Sequence, residues 1–369
     1  MDYYTLGNTG LKVSCLALGT MTFGDDWGWG ADEANARQLF DAYVEAGGNF
    51  VDTADLYTNG NSERMLGRFI RDSKTRDRII ITTKFSYNAD PGNPNAGGNG
   101  RKNILRAVEG SLERLGTDYI DVYMLHTWDQ VTPAAEVMRT LDDLVRSGKV
   151  RHVALSDSPA WYVAQAQTLA QERHWEPIST VQLEYSLAER NIEFEYTALA
   201  KNLGTSLMVW SPLASGLLSG KYKPSEQGGE GSGRLAMLAN SGNPAFDKFT
   251  DKNWAIVAEL EQVANELGRS MAQVALNWVV NRPSVASVII GATKLHQLQD
   301  NLGALDFEIP AELQQRLDDV SRPDTRFPYT FFEPSLQGMI NGGATVGDKP
   351  DSFNQPVLVK GSGAGVAAE

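Results

Sequence analysis

Eight times along this chain a short apolar run rich in β-branched residues gives way to a stretch with helical periodicity, and that beat restricts the fold more than any other feature. Leu16 to Gly19 precedes a helix from Asp32, Asn49 to Asp52 a helix from Asn61, Arg78 to Lys84 a helix from Arg101, and Tyr119 to His126 a helix from Pro133. The second half continues with Val150 to Ser156 before a helix opened by Ser158-Pro159, and Thr180 to Leu183 before a helix from Glu193. Ser206 to Trp210 then precedes a helix from Asp251, and Ser287 to Ile290 a helix from Thr293. Runs such as Ile79 to Ile81 and Tyr119 to Leu125 are apolar on both faces, as parallel strands covered on two sides must be. Eight such units predict an α/β chain closed into a (β/α)8 barrel, the TIM-barrel architecture, rather than an open sheet.

Tyr3 to Cys15 reads as a hairpin around Gly7-Asn8-Thr9-Gly10 and is expected to plug the barrel floor. The expected organisation is one barrel domain over residues 1–320, followed by an extension over 321–369 that packs on the barrel or at the pocket mouth and has a flexible end. Three stretches break the beat: Tyr87 to Gly100, Ser211 to Thr250 and the tail after Ser321. Of these, Ser211 to Lys221 is expected to serve function, as ordered loops beside barrel strands commonly do.

A net charge of −13 disfavours nucleic acid and anionic lipid as partners. No apolar run approaches the ~20 residues that span a bilayer, and the Met1-Asp2-Tyr3-Tyr4 start lacks a cationic, apolar secretory pattern, so a cytoplasmic location is expected. The one cysteine, Cys15, excludes an internal disulfide, and His126, His152, His174 and His296 show no metal-ligand spacing, so no metal is expected. Homo-oligomerisation is left open.

The chemistry concentrates at strand ends. Asp52, Tyr57, Lys84 and His126 each lie at or just after the C-terminal end of an apolar run, the face on which barrel enzymes place their reacting groups. A phenol with an ordinary pKa of about 10 is a weak acid near neutrality unless a cation stabilises its phenolate. Lys84 can supply that cation, Asp52 can keep a buried lysine charged, and His126 can donate to a substrate oxygen. No residue of the set is a nucleophile poised for acyl transfer. Its natural use is proton delivery to an oxygen whose carbon receives a hydride.

With the segment Gly48 to Glu63, the triplet Thr82-Thr83-Lys84 and the run Asp121 to His126, the chain resembles the aldo-keto reductases over about residues 1–320. That family includes the potassium-channel β-subunits and bacterial relatives. The resemblance implies a catalytic tetrad of Asp52, Tyr57, Lys84 and His126, with Tyr57 the general acid in an NADP(H)-dependent reduction of an aldehyde or ketone. It further implies that Ser156, Asp157 and Gln182 hold the nicotinamide carboxamide, with Asp157 standing where relatives carry Asn. Trp210 would stack on the ring, and Ser211, Pro212, Leu213, Ser215 and Lys221 would form the pyrophosphate belt. Thr20 and Met21 would lie beside the cofactor and Arg234 would close over it. Gly291, Thr293, Lys294, Gln297, Asp300 and Asn301 would clasp the adenosine end, where Lys294 favours NADP over NAD.

Phe23, Trp27, Trp29, Tyr87 and Trp128 follow strands and predict an aromatic, largely apolar substrate pocket. Two rival readings share these residues: a partner-binding β-subunit-like protein with little turnover, and a Schiff-base barrel enzyme with Lys84 as the nucleophile.

Overall fold

A computed structural model of the chain describes residues 1–223, 235, 243 and 247–344. The predicted closure is present: β3 (Leu16–Gly19), β4 (Phe50–Asp52), β5 (Ile80–Phe85), β6 (Ile120–Leu125), β7 (Val150–Ser156), β8 (Ile178–Glu184), β9 (Ser206–Trp210) and β10 (Val285–Ile290) form a closed barrel in chain order. Every neighbouring pair is parallel, including the closing pair of β10 with β3, where Ile290 faces Leu18. All strands therefore point their C-terminal ends at one face.

Two cores follow from the alternation of side chains along each strand. Outward residues such as Leu18, Val51, Ile81, Tyr123 and Val153 pack against the helices. Inward residues Ala17, Phe50, Ile80, Val122, Met124, Ala154, Met208 and Ala286 fill the barrel interior. The antiparallel hairpin of β1 (Tyr3–Thr5) and β2 (Lys12–Ser14) pairs Tyr3 with Ser14, and its Leu6 and Val13 join the interior cluster and seal the floor, as expected.

The first four surrounding helices start within a residue of where the sequence predicts. Asp32 caps α1 (Glu33–Glu45) by accepting from the Asn35 N–H at 2.8 Å, and α2 (Asn61–Ser73), α3 (Arg101–Leu115) and α4 (Ala134–Arg146) follow their strands. At α5 (Ala160–Arg173) the outcome differs. Pro159 is the cap: its extended backbone (φ −56°, ψ 144°) places the helix start one residue later than expected, which leaves Ser158 outside the capping position, its hydroxyl donating to the Ser156 carbonyl at 2.9 Å. The helix expected from Glu193 divides into a 3₁₀ turn, Asn191–Phe194, and α6 (Tyr196–Leu203).

Beyond the eight expected units the chain adds helices Met271–Val280 and Ala311–Val320 and a short helix Pro334–Ile340. The segment after Ser321 touches the barrel through Tyr329, stacked on Phe194 at 4.7 Å between centroids. Its Phe327, Phe331, Phe332, Met339 and Ile340 are exposed. Among the described residues, no helix is long and apolar enough to cross a membrane.

One glycine sets the spacing of the helical ring. A Cβ on Gly67 would come within 2.7 Å of the Leu115 carbonyl carbon and closer still to its oxygen, so α2 and α3 can approach only where α2 carries no side chain.

Candidate active site

Parallel register brings the four polar residues together. Asp52 ends β4 opposite Thr82, and Lys84 lies two residues further along β5, opposite Met124 of β6. His126 follows β6, its N–H bonded to the Phe85 carbonyl at 2.8 Å. Tyr57 reaches the same point because the turn after β4 doubles back: Thr58 (φ 45°), Asn59 (φ 56°) and Gly60 (φ 83°) are all left-handed. Two unfavourable non-glycine conformations need anchoring. Thr58 supplies it, its hydroxyl donating to the Phe23 carbonyl at 2.8 Å and accepting from the Ser62 N–H at 3.0 Å.

Lys84 has no exposed surface, and its ammonium is saturated by Asp52 Oδ2 at 2.7 Å, the Thr53 carbonyl at 2.8 Å and the Tyr57 hydroxyl at 3.2 Å. Burial alone would push the Lys84 pKa down; the charge of Asp52 and the contact with Tyr57 outweigh it and hold the value above the ordinary lysine range. Lys84 is thus a fixed cation beneath a phenol and not a free amine nucleophile. Asp52 is itself fixed from the other side, its Oδ1 accepting from Gln182 Nε2 at 2.8 Å.

The His126 ring stands edge-on between Tyr57, 5.9 Å away, and Tyr87, 5.0 Å away. Nδ1 is buried without a hydrogen-bond partner, which leaves Nε2 as the accessible ring nitrogen. Burial, then the charge of Lys84, drives the pKa of His126 well below the ordinary histidine value. The ring is therefore neutral at neutral pH, a hydrogen-bonding group rather than a second cation.

The residues assigned to a cofactor by resemblance line the same face. Asp157, just past β7, has φ 38° and accepts from the Trp210 indole at 3.0 Å. Ser156 Oγ lies buried beside it without a partner of regular geometry. Past Trp210 the backbone of Ser211 (φ 53°), Ala214 (φ 48°), Ser215 (φ 55°) and Gly216 (φ 94°) turns left-handed repeatedly, making a concave run in which the Ser215 N–H bonds to Ser211 Oγ at 3.0 Å. Pro212 and Leu213 lie within that run, and Lys221 folds back over Gly216, where an added Cβ would meet Nζ at 2.7 Å. Successive backbone N–H groups in such turns with a lysine above them suit an anion.

Other assigned residues take structural partners. Thr20 is fully buried, bonded through Oγ1 to the Asp52 carbonyl at 3.0 Å, whereas Met21 is only partly buried. At helix Leu295–Leu302, Gln297 Oε1 already accepts the N–H groups of Thr293 at 2.9 Å and Lys294 at 3.1 Å, so an anion there must displace this amide. Asp300 accepts from Ser270 at 2.8 Å, and Asn301 reaches the Gly291 carbonyl at 3.4 Å. Arg234 lies outside the described residues.

Of the aromatic residues assigned to the pocket, Phe23 has no exposed surface and packs on Phe69 at 6.1 Å, which makes it wall interior. Trp27 and Trp29 pack together at 5.8 Å on the loop after β3, and Trp128 packs on Trp161 at 5.4 Å. Tyr87 is 48% exposed over His126.

Sequence reasoning passed over three features near the site. Thr53 contributes through its backbone carbonyl, which leaves no mark in residue type. Glu184, ending β8, pairs with the buried Lys248 at 3.0 Å. Asp55, between Asp52 and Tyr57, has a buried Oδ1 with no partner, and burial, then the nearby Glu63 charge, pushes its pKa up to about 7 against the pull of Arg114.

A closed parallel barrel with a buried Asp–Lys–Tyr contact at its C-terminal mouth defines a class, and comparison with known proteins agrees with it. Residues 15–322 match the model of the Aldo/keto reductase family, and the chain belongs to that family. It is 36% identical over 330 residues to the uncharacterized oxidoreductase YrpG of Bacillus subtilis, covering 87% of this chain and 96% of the relative. It is 36% identical over 309 residues to a probable voltage-gated potassium channel subunit beta of Oryza sativa, covering 83% and 92%. Norsolorinic acid reductase of Aspergillus flavus is 31% identical over 339 residues, covering 89% and 84%.

Proposed function

We propose that this protein is an NADP(H)-dependent reductase of aldehydes or ketones in which Tyr57 delivers the proton, with the barrel through residue 320 as the working unit. The observation that carries the reading is the saturated Lys84 ammonium, held at 2.7 Å from Asp52 and 3.2 Å from the Tyr57 hydroxyl in a fully buried position. A cation fixed beneath a phenol lowers the cost of forming phenolate, which is what a general acid at neutral pH requires. When bound, the nicotinamide supplies the hydride. The chain's own part is to place a carbonyl oxygen between the Tyr57 hydroxyl and the His126 ring, and to pass the phenolic proton to that oxygen as its carbon is reduced. Neutral His126 donates one hydrogen bond to the same oxygen and fixes its direction.

The residues fit such a cofactor: the left-handed run Ser211 to Gly216 with Lys221 above it suits a pyrophosphate, and the Trp210 ring beside Asp157 offers a stacking surface. Lys294 supports NADP over NAD because a 2′-phosphate needs a local cation on a chain of net charge −13. The aromatic loops favour an aromatic, largely apolar carbonyl substrate.

The 36% identity to a channel β-subunit gives a second reading, a cofactor-binding protein that acts through a partner with little turnover. A panel of aromatic and aliphatic aldehydes and ketones, followed by NADPH absorbance beside NADH, decides between the two. Steady turnover of at least one carbonyl with NADPH supports a reductase. Tight NADPH binding with no turnover across the panel supports the second reading, and binding of neither nucleotide removes both.

A further inference from the structure

We propose that Asp157 sets which redox state of the nicotinamide cofactor this site prefers: its carboxylate favours the oxidised, positively charged ring, and its neutral acid form does not. The inference rests on the nicotinamide reading above and concerns the one position of the carboxamide group at which this chain carries an acid in place of an amide.

The geometry keeps that acid at the site. Asp157 sits one residue past β7 in a left-handed conformation, φ 38°, with its N–H donating to the Gln182 carbonyl at 3.2 Å and its carbonyl accepting from the Trp128 N–H at 3.3 Å. Both backbone groups are pinned, so the side chain cannot swing out with its loop. Its Oδ1 receives the Trp210 indole N–H at 3.0 Å, which holds the carboxyl at the edge of the ring proposed to stack on nicotinamide. Among the described residues, the cation acting on it is Lys84, which is already paired with Asp52 at 2.7 Å. An ionised Asp157 therefore has no counter-ion of its own among the described residues, and a cationic ring laid on Trp210 would become one.

The other groups facing it do not take that place. Tyr87, beyond β5, Glu184, ending β8, and Tyr196, on α6, all feel the Asp157 charge. The two phenols stay protonated near neutrality, and Tyr196 donates to the Ser158 carbonyl at 2.6 Å. Glu184, whose pKa burial raises against the pull of Lys248, is paired with that lysine at 3.0 Å, and His126 beyond β6 is neutral. Asp157 is exposed at the barrel mouth, yet the protein atoms gathered round its carboxyl push the pKa up to about 6 in spite of the Trp210 bond. Its charge state thus changes within the range in which an enzyme is assayed.

The sign follows by linkage. Bound NADP⁺ stabilises the carboxylate and lowers its pKa, whereas NADPH adds a neutral ring and further burial and raises it. As pH rises through 6, affinity for NADP⁺ must increase relative to NADPH. Unit charges a few Å apart in a partly hydrated site correspond to about a tenfold change in binding ratio.

The test measures dissociation constants of NADP⁺ and NADPH for the full chain by tryptophan fluorescence from about pH 5 to pH 8, the span of one carboxyl titration centred near 6. The 2′-phosphate is common to both ligands and cancels in the ratio. In the wild type the ratio Kd(NADP⁺)/Kd(NADPH) should fall about tenfold across that range. In Asp157→Asn, which keeps the shape and removes the charge, it should stay flat, and in Glu184→Gln it should still fall. Calorimetry near pH 6 in two buffers of different ionisation heat should show more protons released, or fewer taken up, with NADP⁺ than with NADPH, the 2′-phosphate contribution cancelling in the difference. A flat ratio in the wild type, or an equal slope in Asp157→Asn, overturns the inference while leaving the nicotinamide reading intact. Failure of both nucleotides to bind overturns that reading and the inference with it.

Discussion

Replacing Lys84 with Met tests the physical core of the site. The substitution keeps most of the side-chain volume and deletes a cation that makes three hydrogen bonds in a position with no exposed surface. Two losses follow. A phenolate 3.2 Å from an ammonium is stabilised by ~5 kcal/mol at an effective dielectric of ~20. Asp52, 2.7 Å from the same ammonium, cancels part of this, which leaves about 3 kcal/mol, or on the order of 10²-fold in the proton-transfer rate. Removing one partner of a buried pair also strands the other, at a cost of about 3–5 kcal/mol in stability, moderated here because Gln182 still donates to Asp52. Stopped-flow measurement of a single turnover, beside a urea midpoint and an NADPH titration, separates the two losses. The expected result is a lower midpoint, near-unchanged NADPH affinity and a rate reduced about 10²-fold or more. A folded Lys84→Met variant that turns over within threefold of wild type would refute the claim that this cation sets the acidity of Tyr57.

Two further predictions concern stability. The Asp55 carboxyl, with a folded pKa near 7 and an ordinary value of 3.8, binds more protons folded than unfolded between those pH values, so it costs stability as pH rises. Asp55→Asn should therefore stabilise the protein by about 1–3 kcal/mol at pH 8 and much less at pH 5, read from urea midpoints; an equal gain at both would sink the assignment. Gly67→Ala forces a methyl into the Leu115 carbonyl and should cost about 2–4 kcal/mol, with a corresponding fall in Tm, and a neutral effect would mean that α2 and α3 are not in close backbone contact.

Much of the fold was legible because it rests on repetition. Parallel strands buried on both faces write themselves as unbroken apolar runs, and the polar residue that ends each run marks the mouth, which is how Asp52, Lys84 and His126 could be placed before any coordinates. What repetition does not encode was missed. Helix Met271–Val280 is apolar nearly all round and sits outside the eightfold beat, although Ser270 and Gln273 form a capping box that signals its start. The Ser158 cap was misplaced by one residue because Pro159 stays extended and takes the cap position itself, which leaves Ser158 outside the helix start. In the site, the Thr53 carbonyl is a backbone group, and the Glu184–Lys248 pair joins residues whose proximity no local pattern records. Gln297, assigned to the cofactor by resemblance, also accepts the N–H groups of Thr293 and Lys294 at the start of its own helix, a contact its residue type alone does not announce.

The measurement that bears most directly on the account is the turnover of Tyr57→Phe with a carbonyl that the wild type reduces. Ring packing against His126 is preserved and only the hydroxyl that receives the Lys84 hydrogen bond is lost. With Tyr57 as the proton donor, kcat should drop about 10²–10⁴-fold while the dissociation constant for NADPH stays within about twofold of wild type. Near-normal kcat in a folded, NADPH-binding Tyr57→Phe variant would contradict the account and turn attention to His126 as the donor.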